Sequence, residues 1–357
     1  MILRSGWKKK PFWIRLLHWE YWSFQVIYIP IYPVFIFLCL RARSFFFFSA
    51  ANPTIRNGGF LGESKKDIFQ LVPAHLQPRT IFFDKTCKPQ SVMEQLMAGD
   101  FRYPLIGKPD MGGKGRGIKK LDDEMSVRKY AASAETNFHI QEFIPYEKEM
   151  GIFYYRYPDQ AQGKISGVVE KEFLKVVGDG IKNIRQLLQD NPRGILQLSQ
   201  IQLHEPHLLD QVVEANEVFT VVPYGNHARG ALFLDSSATV HSALEKWMDG
   251  VCKQIPGFYF GRLDIRYKNR ELLEAGKSFY ILEVNGAGSE PTHIYDPRHS
   301  IFFAWREIIR HWLILYKISV ANHRLGHPYM SWSEGVKMLR TDEYNSKRLS
   351  AMDKKSA

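Results

Sequence analysis

Sulfur is scarce in this chain. Only three cysteines, Cys39, Cys87 and Cys252, occur in 357 residues, scattered singly without a CxxC pair or zinc-ligand spacing. A disulfide scaffold and a zinc module are thereby excluded, and a reducing, cytoplasmic setting fits best. The glycine-rich loop at residues 112–117 does not end in Gly-Lys-Ser/Thr, so the Walker A spacing is absent there. There is no Ser-His-Asp or reactive-cysteine constellation, which speaks against covalent catalysis by an enzymic nucleophile. No repeat with a period of about 20 to 50 residues is found, nor any low-complexity tract beyond the four phenylalanines at 45–48. The aromatic and basic signature of RNA-binding modules is absent, and no nucleic-acid partner is expected. The net charge of +11 still favours anionic partners such as nucleotides, phosphorylated substrates or anionic lipid.

Residues 21–40 carry no formal charge. About 20 apolar residues is the length a membrane-spanning helix needs. Pro30 and Pro33 interrupt the run, and its aromatic and β-branched residues suit buried strands as well as bilayer helices. Arg4, Lys8, Lys9, Lys10 and Arg15 precede it and Arg41 and Arg43 follow, so the positive-inside tendency selects neither side. The run is too long for a signal peptide, and no small-residue cleavage pattern follows. Three readings stay open for this leader, residues 1–43: an interfacial or re-entrant segment held by basic residues and Trp, a soluble fold element, and a true span. Residues 44–100 read as a reduced α/β unit. FFFFSAANP is the pattern of a buried strand, NGGFLGESKKDIFQLVP of a glycine turn and short helix, and PRTIFF of a second strand; residues 89–98 form a helix stopped by Gly99.

Two stretches carry chemistry. In YPLIGKPDMGGKGRGIKKL a strand bearing Lys108 enters a loop with Gly112, Gly113, Gly115 and Gly117, whose backbone N–H groups can approach phosphate closely while Lys114 and Arg116 add charge. In GRLDIRYKNRELLEAGKSFYILEVNGAG, two strands, residues 262–267 and 278–285, alternate so that Leu263 and Ile265 lie on one face and Arg262, Asp264 and Arg266 on the other. Leu282 and Val284 are expected to point into the core, and Glu283 and Asn285 away from it with Ile281. If the strands pair, Asp264, Glu283 and Asn285 form an all-oxygen set suited to Mg²⁺. The bland alternative is a hairpin with one wet face.

Between these stretches, HIQEFIPYEKEMGIFYYR has a polar break between two strands. Taken in order, the three stretches resemble the ATP-grasp superfamily, in particular carboxylate-amine ligases of the D-alanine:D-alanine ligase and amino-acid ligase type, over residues 84–297. The resemblance implies an α+β ATP-grasp fold, two lobes clasping ATP, with a catalytic domain over residues 101–300 and carboxy-terminal helices and a charged tail over residues 301–357. It implies that Lys108 contacts the nucleotide phosphates and that Gly112, Gly113, Gly115 and Gly117 close over them. Gln141, Glu142, Phe143 and Ile144 would cradle adenine, and Glu149, or Glu147 beside it, would hold the ribose. Asp264, Glu283 and Asn285 would bind two Mg²⁺ ions, with Mn²⁺ as a substitute, and Arg262 would stabilise negative charge. Lys85 is a weaker match for a further phosphate lysine. Gly288, in GAGSEPTHIYDP, would offer its N–H to an oxyanion, and Arg229 would contact the γ-phosphate or a substrate carboxylate.

Lys171, Lys175 and Asp179 around the GDG turn are lid or substrate-loop candidates, and His227 reads as a structural histidine. SIFFAWREIIRHWLILYKISVANHRLG, residues 300–326, reads as a long, mostly apolar helix with Arg306, Arg310 and His311 on its wetter side, and residues 331–345 as a further helix before a loose tail. The implied activity is ADP-forming ligation of a carboxylate to an amine through an acylphosphate. The rivals are an ATP-grasp kinase and a membrane-surface protein that binds ATP without turnover. The expected location is cytoplasmic, peripheral on the inner membrane face, with an anionic membrane surface as an additional partner.

Overall fold

In the computed structural model the described residues are 10–112, 115 and 117–355. Gly113, Lys114 and Arg116 of the glycine loop, and Arg4, Lys8 and Lys9 of the leader, lie outside the described residues. The architecture is α+β, with antiparallel sheets as its centre.

Strands β1 (Thr80–Phe83), β2 (Leu105–Pro109), β3 (Lys119–Leu121) and β4 (Phe138–Glu142) form one sheet in the order β1-β4-β2-β3. The helices Pro89–Ala98 and Glu124–Ala132 cover one face of it, burying Val92, Leu96 and Val127 against Leu105, Phe138 and Ile140. Because successive strand residues alternate, Lys108, His139 and Gln141 are left on the opposite face. Asp123 starts the second helix as a capping box with Ser126.

The second sheet contains β5 (Lys148–Tyr155) and β6 (Lys164–Glu172). After it β7 (Leu174–Val177) and β8 (Val218–Val222) pair as a separate ribbon, and β9 (Leu232–Asp235), β10 (Phe260–Tyr267) and β11 (Phe279–Asn285) complete the larger sheet in the order β11-β10-β5-β6-β9. One face packs Met150, Ile152, Leu263, Ile265 and Val284 against Met248, Val251 and Cys252 of the helix Ser242–Lys253. On the other face, Phe153 and Phe260 meet the long helix Ile301–Arg324 through Ile314, Leu315 and Ile318. The remaining length of that face carries charge.

Several expectations need correction. Residues 45–48 do not lie in a strand: Phe47–Ala50 is a 3₁₀ turn, and Phe46, Phe47 and Phe48 are all buried in succession. A strand would send alternate rings to opposite faces, whereas the turn wedges all three between the long helix and β10. β1 does not belong to a separate amino-terminal unit, since it hydrogen-bonds to β4 in the sheet that bears Lys108. His311 is not on the wet side of its helix; it is buried against Phe153, with Nε2 2.9 Å from Ser166 Oγ. The carboxy-terminal helix runs on from Trp332 to Lys355, through the stretch expected to be a loose tail.

The leader is folded onto this body. Its helices Pro11–Leu17, Phe24–Tyr28 and Tyr32–Ala42 are broken by a 3₁₀ turn, Ile29–Ile31, at Pro30. Ile27, Tyr28 and Ile31 pack on Ile294, Ala304 and Ile308, and Leu38 and Cys39 on the next turns of the same long helix.

Asn52 fastens the following segment. Fully buried, it donates from Nδ2 to the carbonyls of Gly58 and Phe260 and accepts at Oδ1 from the N–H groups of Tyr259 and Phe260, all within 2.8–3.0 Å. Asn52→Leu strands those four buried groups. It is expected to lower the urea-unfolding free energy by about 3 kcal/mol or more, and a loss within about 0.5 kcal/mol of zero would remove Asn52 from this role.

Candidate functional site

β10 and β11 pair antiparallel with Arg262 opposite Asn285 and Asp264 opposite Glu283, as the alternation requires. A bulge follows. Ile265 faces Ile281, so Leu282 is an extra residue, and Ile281 turns into the core while Leu282 is only half-buried. The expected positions of Ile281 and Leu282 are therefore reversed, while Asp264 and Glu283 are opposed.

Asp264 sits in a buried ion network. Arg262 grips it with Nε on Oδ1 at 3.0 Å and a terminal nitrogen on Oδ2 at 3.2 Å. Lys171 Nζ on β6 lies 3.0 Å from Asp264 Oδ1 and 3.0 Å from Glu149 Oε1, and Arg266 reaches Glu149 Oε2 at 3.2 Å. Gly151 lies between them on β5. A Cβ there would stand 3.1 Å from Asp264 Oδ1 and 3.2 Å from Arg262 Cδ, so the network closes across a residue without a side chain. Burial alone would raise the Asp264 carboxyl, but Arg262 and Lys171 outweigh it and hold it below the usual carboxylate range. Burial likewise works against charge on Lys171, and Asp264 and Glu149 outweigh that and raise it.

Across the cleft, Lys108 Nζ donates to Gln141 Oε1 at 2.8 Å, and Gln141 is fixed in turn on Thr80 Oγ1 at 2.9 Å. Burial pushes the Lys108 ammonium down to about 8, against the attraction of Glu283. His139, directly opposite Lys108 in the sheet, is buried with neither ring nitrogen bonded, and burial with the charges of Lys108 and Lys65 keeps it neutral. Lys65, at the start of the helix Lys65–Leu71, donates to the Gly112 carbonyl at 2.8 Å and lies 3.8 Å from Glu283 Oε1. It ties the glycine loop to the carboxylate pair. The cleft thus brings together Lys65, Lys108, Lys171, Arg262 and Arg266 with Glu149, Asp264 and Glu283, and Glu63 and Glu290 lie beside Lys65 and Arg262 at its margin.

The remaining expected residues are placed unevenly. Glu149 is not free to hold ribose, because Lys171 and Arg266 occupy its two oxygens; Glu147 is exposed. Glu142 points to Arg79 at 2.7 Å. The Ile144 carbonyl already accepts from Arg266 at 3.3 Å, and the Phe143 ring lies 5.7 Å from Lys120 Nζ and 5.9 Å from the Arg266 guanidinium. The Gly288 N–H donates to the Gly59 carbonyl at 2.9 Å, so it does not serve as a free oxyanion donor here. The segment anchored by Asn52 has taken that hydrogen. Arg229 stacks on Tyr224 at 4.6 Å and donates to the Ile118 carbonyl at 3.4 Å, and a Cβ at Gly115 would lie 3.3 Å from its Cδ. It therefore stands beside the glycine loop. Lys171 lies on a central strand and not in a lid, whereas Asp179 caps the N–H groups of Ile181 and Lys182 as an ordinary turn. Lys85 is exposed at the end of β1.

Sequence reading missed the leader's contribution. Tyr28 donates to Glu290 Oε1 at 2.6 Å, and the Glu290 carbonyl accepts from Arg262 at 3.2 Å. Glu20 and Arg193 form a buried ion pair at 3.0 Å, and Tyr21 stacks on His227, which burial pushes down to about 3. One signal was available: Glu20 is the only acidic residue before Glu63. Alternation already places Arg266 on the charged face with Arg262 and Asp264, but it does not name Glu149 as its partner.

For a hard cation, Asp264, Glu283 and Asn285 supply carboxylate and amide oxygens. The Glu283 side chain is 36% exposed; among the described residues its ion-pair partner is Lys65 at the long distance of 3.8 Å, and the buried Asn285 Nδ2 has no partner. Among the described residues no trio of His, Cys, Asp or Glu gathers, so the set is two carboxylates and an amide. This composition fits Mg²⁺ supplemented by water and phosphate oxygens.

Two outcomes test the network. Lys171→Met leaves Glu149 and Asp264 with fewer buried partners and is expected to cost about 3–5 kcal/mol in chemical unfolding; an unchanged midpoint would show the lysine to be dispensable. Lys108 binds its proton less readily folded than unfolded, so between about 8 and its ordinary 10.5 the unfolded chain holds more protons and stability rises with pH. Comparison with Lys108→Met across pH 7–10.5 is expected to isolate a rise on the order of 2 kcal/mol, and identical pH profiles would contradict the burial.

No protein-family model and no curated protein matches the chain by sequence. Among solved structures, 71% of the chain is similar to a bifunctional glutathione synthetase from Pasteurella multocida at 15% identity and TM-score 0.35, covering 35% of that protein. It is similar over 71% to the VanG D-Ala:D-Ser ligase from Enterococcus faecalis at 17% identity and TM-score 0.40, covering 61% of that chain. Over 74% it is similar to the D-alanine–D-alanine ligase from Bacillus anthracis, at 13% identity and TM-score 0.42, covering 69% of that chain. The match spans about a third of the first protein's length and under two thirds of the second's. These are distant likenesses in chain path, and no activity is carried across by them.

Proposed function

We propose that this chain is an ATP-dependent carboxylate-amine ligase of the ATP-grasp type, forming ADP, phosphate and an amide. The observation that carries the reading is the cross-strand set of Arg262, Asp264, Glu283 and Asn285, joined to Lys171 and facing Lys108 across the cleft. Lys108 and Lys65 would bind the polyphosphate, with Lys171 holding Glu149 and Asp264 in place beside it, and the backbone beside Gly112, Gly115 and Gly117 would close on it. Gln141 orients Lys108 through its 2.8 Å bond, so the ammonium is held in place before the nucleotide arrives.

Asp264, Glu283 and Asn285 would hold Mg²⁺, which when bound neutralises phosphate charge during transfer. Asp264 would then have to share its oxygens with the cation, and Glu283, the more exposed of the two, is the freer ligand. In the reaction a substrate carboxylate oxygen bonds to the γ-phosphorus and the bond to ADP breaks. The amine then attacks the acyl carbon and phosphate leaves, the amine losing one proton. Three of Arg262's five N–H groups are committed, to Asp264 and to the Glu290 carbonyl, which leaves two for the developing oxyanion. Arg229, beside the glycine loop, would meet the γ-phosphate or the substrate carboxylate.

The test is release of ADP and phosphate by the purified chain with Mg·ATP and a panel of carboxylates and amines, singly and in pairs. Release that needs both compounds supports ligation; release with one compound, which becomes phosphorylated, would make the protein a kinase. Asp264→Asn and Glu283→Gln are each expected to lower turnover by at least about 100-fold; the thermal midpoint is little changed in Glu283→Gln and lowered in Asp264→Asn, which unpairs Arg262 and Lys171. Activity near wild type in either variant would sink the metal assignment.

A further inference from the structure

The leader has two faces. Its inner face is built into the body, with Ile27, Tyr28, Leu38 and Cys39 buried, Trp305 Nε1 donating to the Ile27 carbonyl at 2.8 Å, and Tyr28 bonded to Glu290. Its outer face leaves Ile29 60%, Phe37 55% and Leu40 65% exposed, with Ile36 between them on the same helical stripe. Phe302 and Leu313 of the long helix, which packs against Tyr32–Ala42, and Phe12, Leu16 and Leu17 of the first helix are exposed as well. Soluble surfaces seldom carry a contiguous apolar area of this kind without a partner.

Charge identifies the partner. Arg15, Arg41, Arg43, Arg306 and Lys317 are exposed around these apolar residues, and the Arg41 guanidinium lies 5.9 Å from the Phe37 ring, its stem running along the apolar stripe. Between residues 10 and 62 the only carboxylate is Glu20, which is buried against Arg193. Asp190, exposed beside Leu17 at the edge of the first helix, is paired with Lys182 at 3.0 Å. An apolar stripe with a mainly cationic rim matches the acyl boundary and headgroups of an anionic bilayer.

We propose that this face docks flat on an anionic membrane surface, with the Phe24–Ala42 segment lying in the interface plane. The segment is long and apolar enough to cross a bilayer, at 19 residues and mean hydropathy 1.7. Crossing would strip Ile27, Tyr28, Leu38 and Cys39 from their packing and break the Tyr28 to Glu290 bond, and the 3₁₀ turn at Pro30 interrupts the helix. Lying flat retains all of these contacts.

The full chain would be sedimented with phosphatidylcholine vesicles with and without phosphatidylglycerol. Binding to the anionic vesicles is expected to exceed that to neutral ones at least about tenfold and to weaken with salt. Phe37→Asp with Leu40→Asp is expected to reduce it by at least about tenfold, while Val177→Asp, on the exposed side of β7, leaves it unchanged. Circular dichroism and the thermal midpoint establish that each variant is folded, and the milder Arg41→Glu with Arg43→Glu gives a second reading of the same face. Absence of vesicle binding, or binding indifferent to both pairs of substitutions, overturns the proposal. So does a concentration-dependent dimer in sedimentation velocity that Phe37→Asp dissolves while vesicles are ignored, since the face would then belong to a second copy.

Discussion

The position of Lys171 between Glu149 and Asp264 is the constraint on which the site depends. Two carboxylates buried side by side on neighbouring strands repel each other, and an ammonium 3.0 Å from both offsets that repulsion. Arg262 and Arg266 then complete the outer sides of the pair. Such a network contributes little net stability, because desolvation of five charged groups offsets much of the attraction. Its consequence is positional. The β10 charges cannot shift without unpairing a neighbour on β5 or β6, and the face opposite Lys108 is thereby prepared before any anion arrives.

The second sheet meets a different requirement. Lys108 is held by a neutral amide and not by a carboxylate, and burial leaves its ammonium close to losing its proton. A lysine so placed has unspent capacity for an anion, whereas Lys171 has spent its own on Glu149 and Asp264. The two cations are thus unequal: one holds the framework and the other is available. Lys65, bridging the Gly112 carbonyl and Glu283 at longer range, stands between these cases and connects the loop to the carboxylate most open to solvent.

Legibility from sequence followed local periodicity. Alternation located Arg262, Asp264, Glu283 and Asn285 on one face because strand geometry fixes side-chain direction residue by residue. The helix Pro89–Ala98 was bounded by its own first-turn proline and terminal glycine. Failures came where distant partners decide. The bulge at Leu282 shifts one strand against another, and nothing in YILEVN announces it. The phenylalanines at 45–48 have a strand-like composition, but the cavity between β10 and the long helix accepts three consecutive rings only from a turn. The Gly288 N–H was lost to Gly59, and Glu149 to Lys171 and Arg266, by contacts made across the fold. The Glu20 to Arg193 pair spans 173 residues and leaves no local pattern at all.

The leader joins the two proposals physically. Tyr28 binds the Glu290 carboxylate, the Glu290 backbone carbonyl accepts from Arg262, and Arg262 holds Asp264. The residue after Tyr28, Ile29, is on the outer, exposed face. One short stretch of chain therefore has its outward side toward the suggested bilayer and its inward side two bonds from the charged centre. A leader that served only as an anchor would need no such bond, since hydrophobic docking is indifferent to what lies beneath the helix. A leader that served only as scaffold would bury its stripe or make it polar. Bearing both features, it fixes the orientation of the site relative to any surface on which it lies.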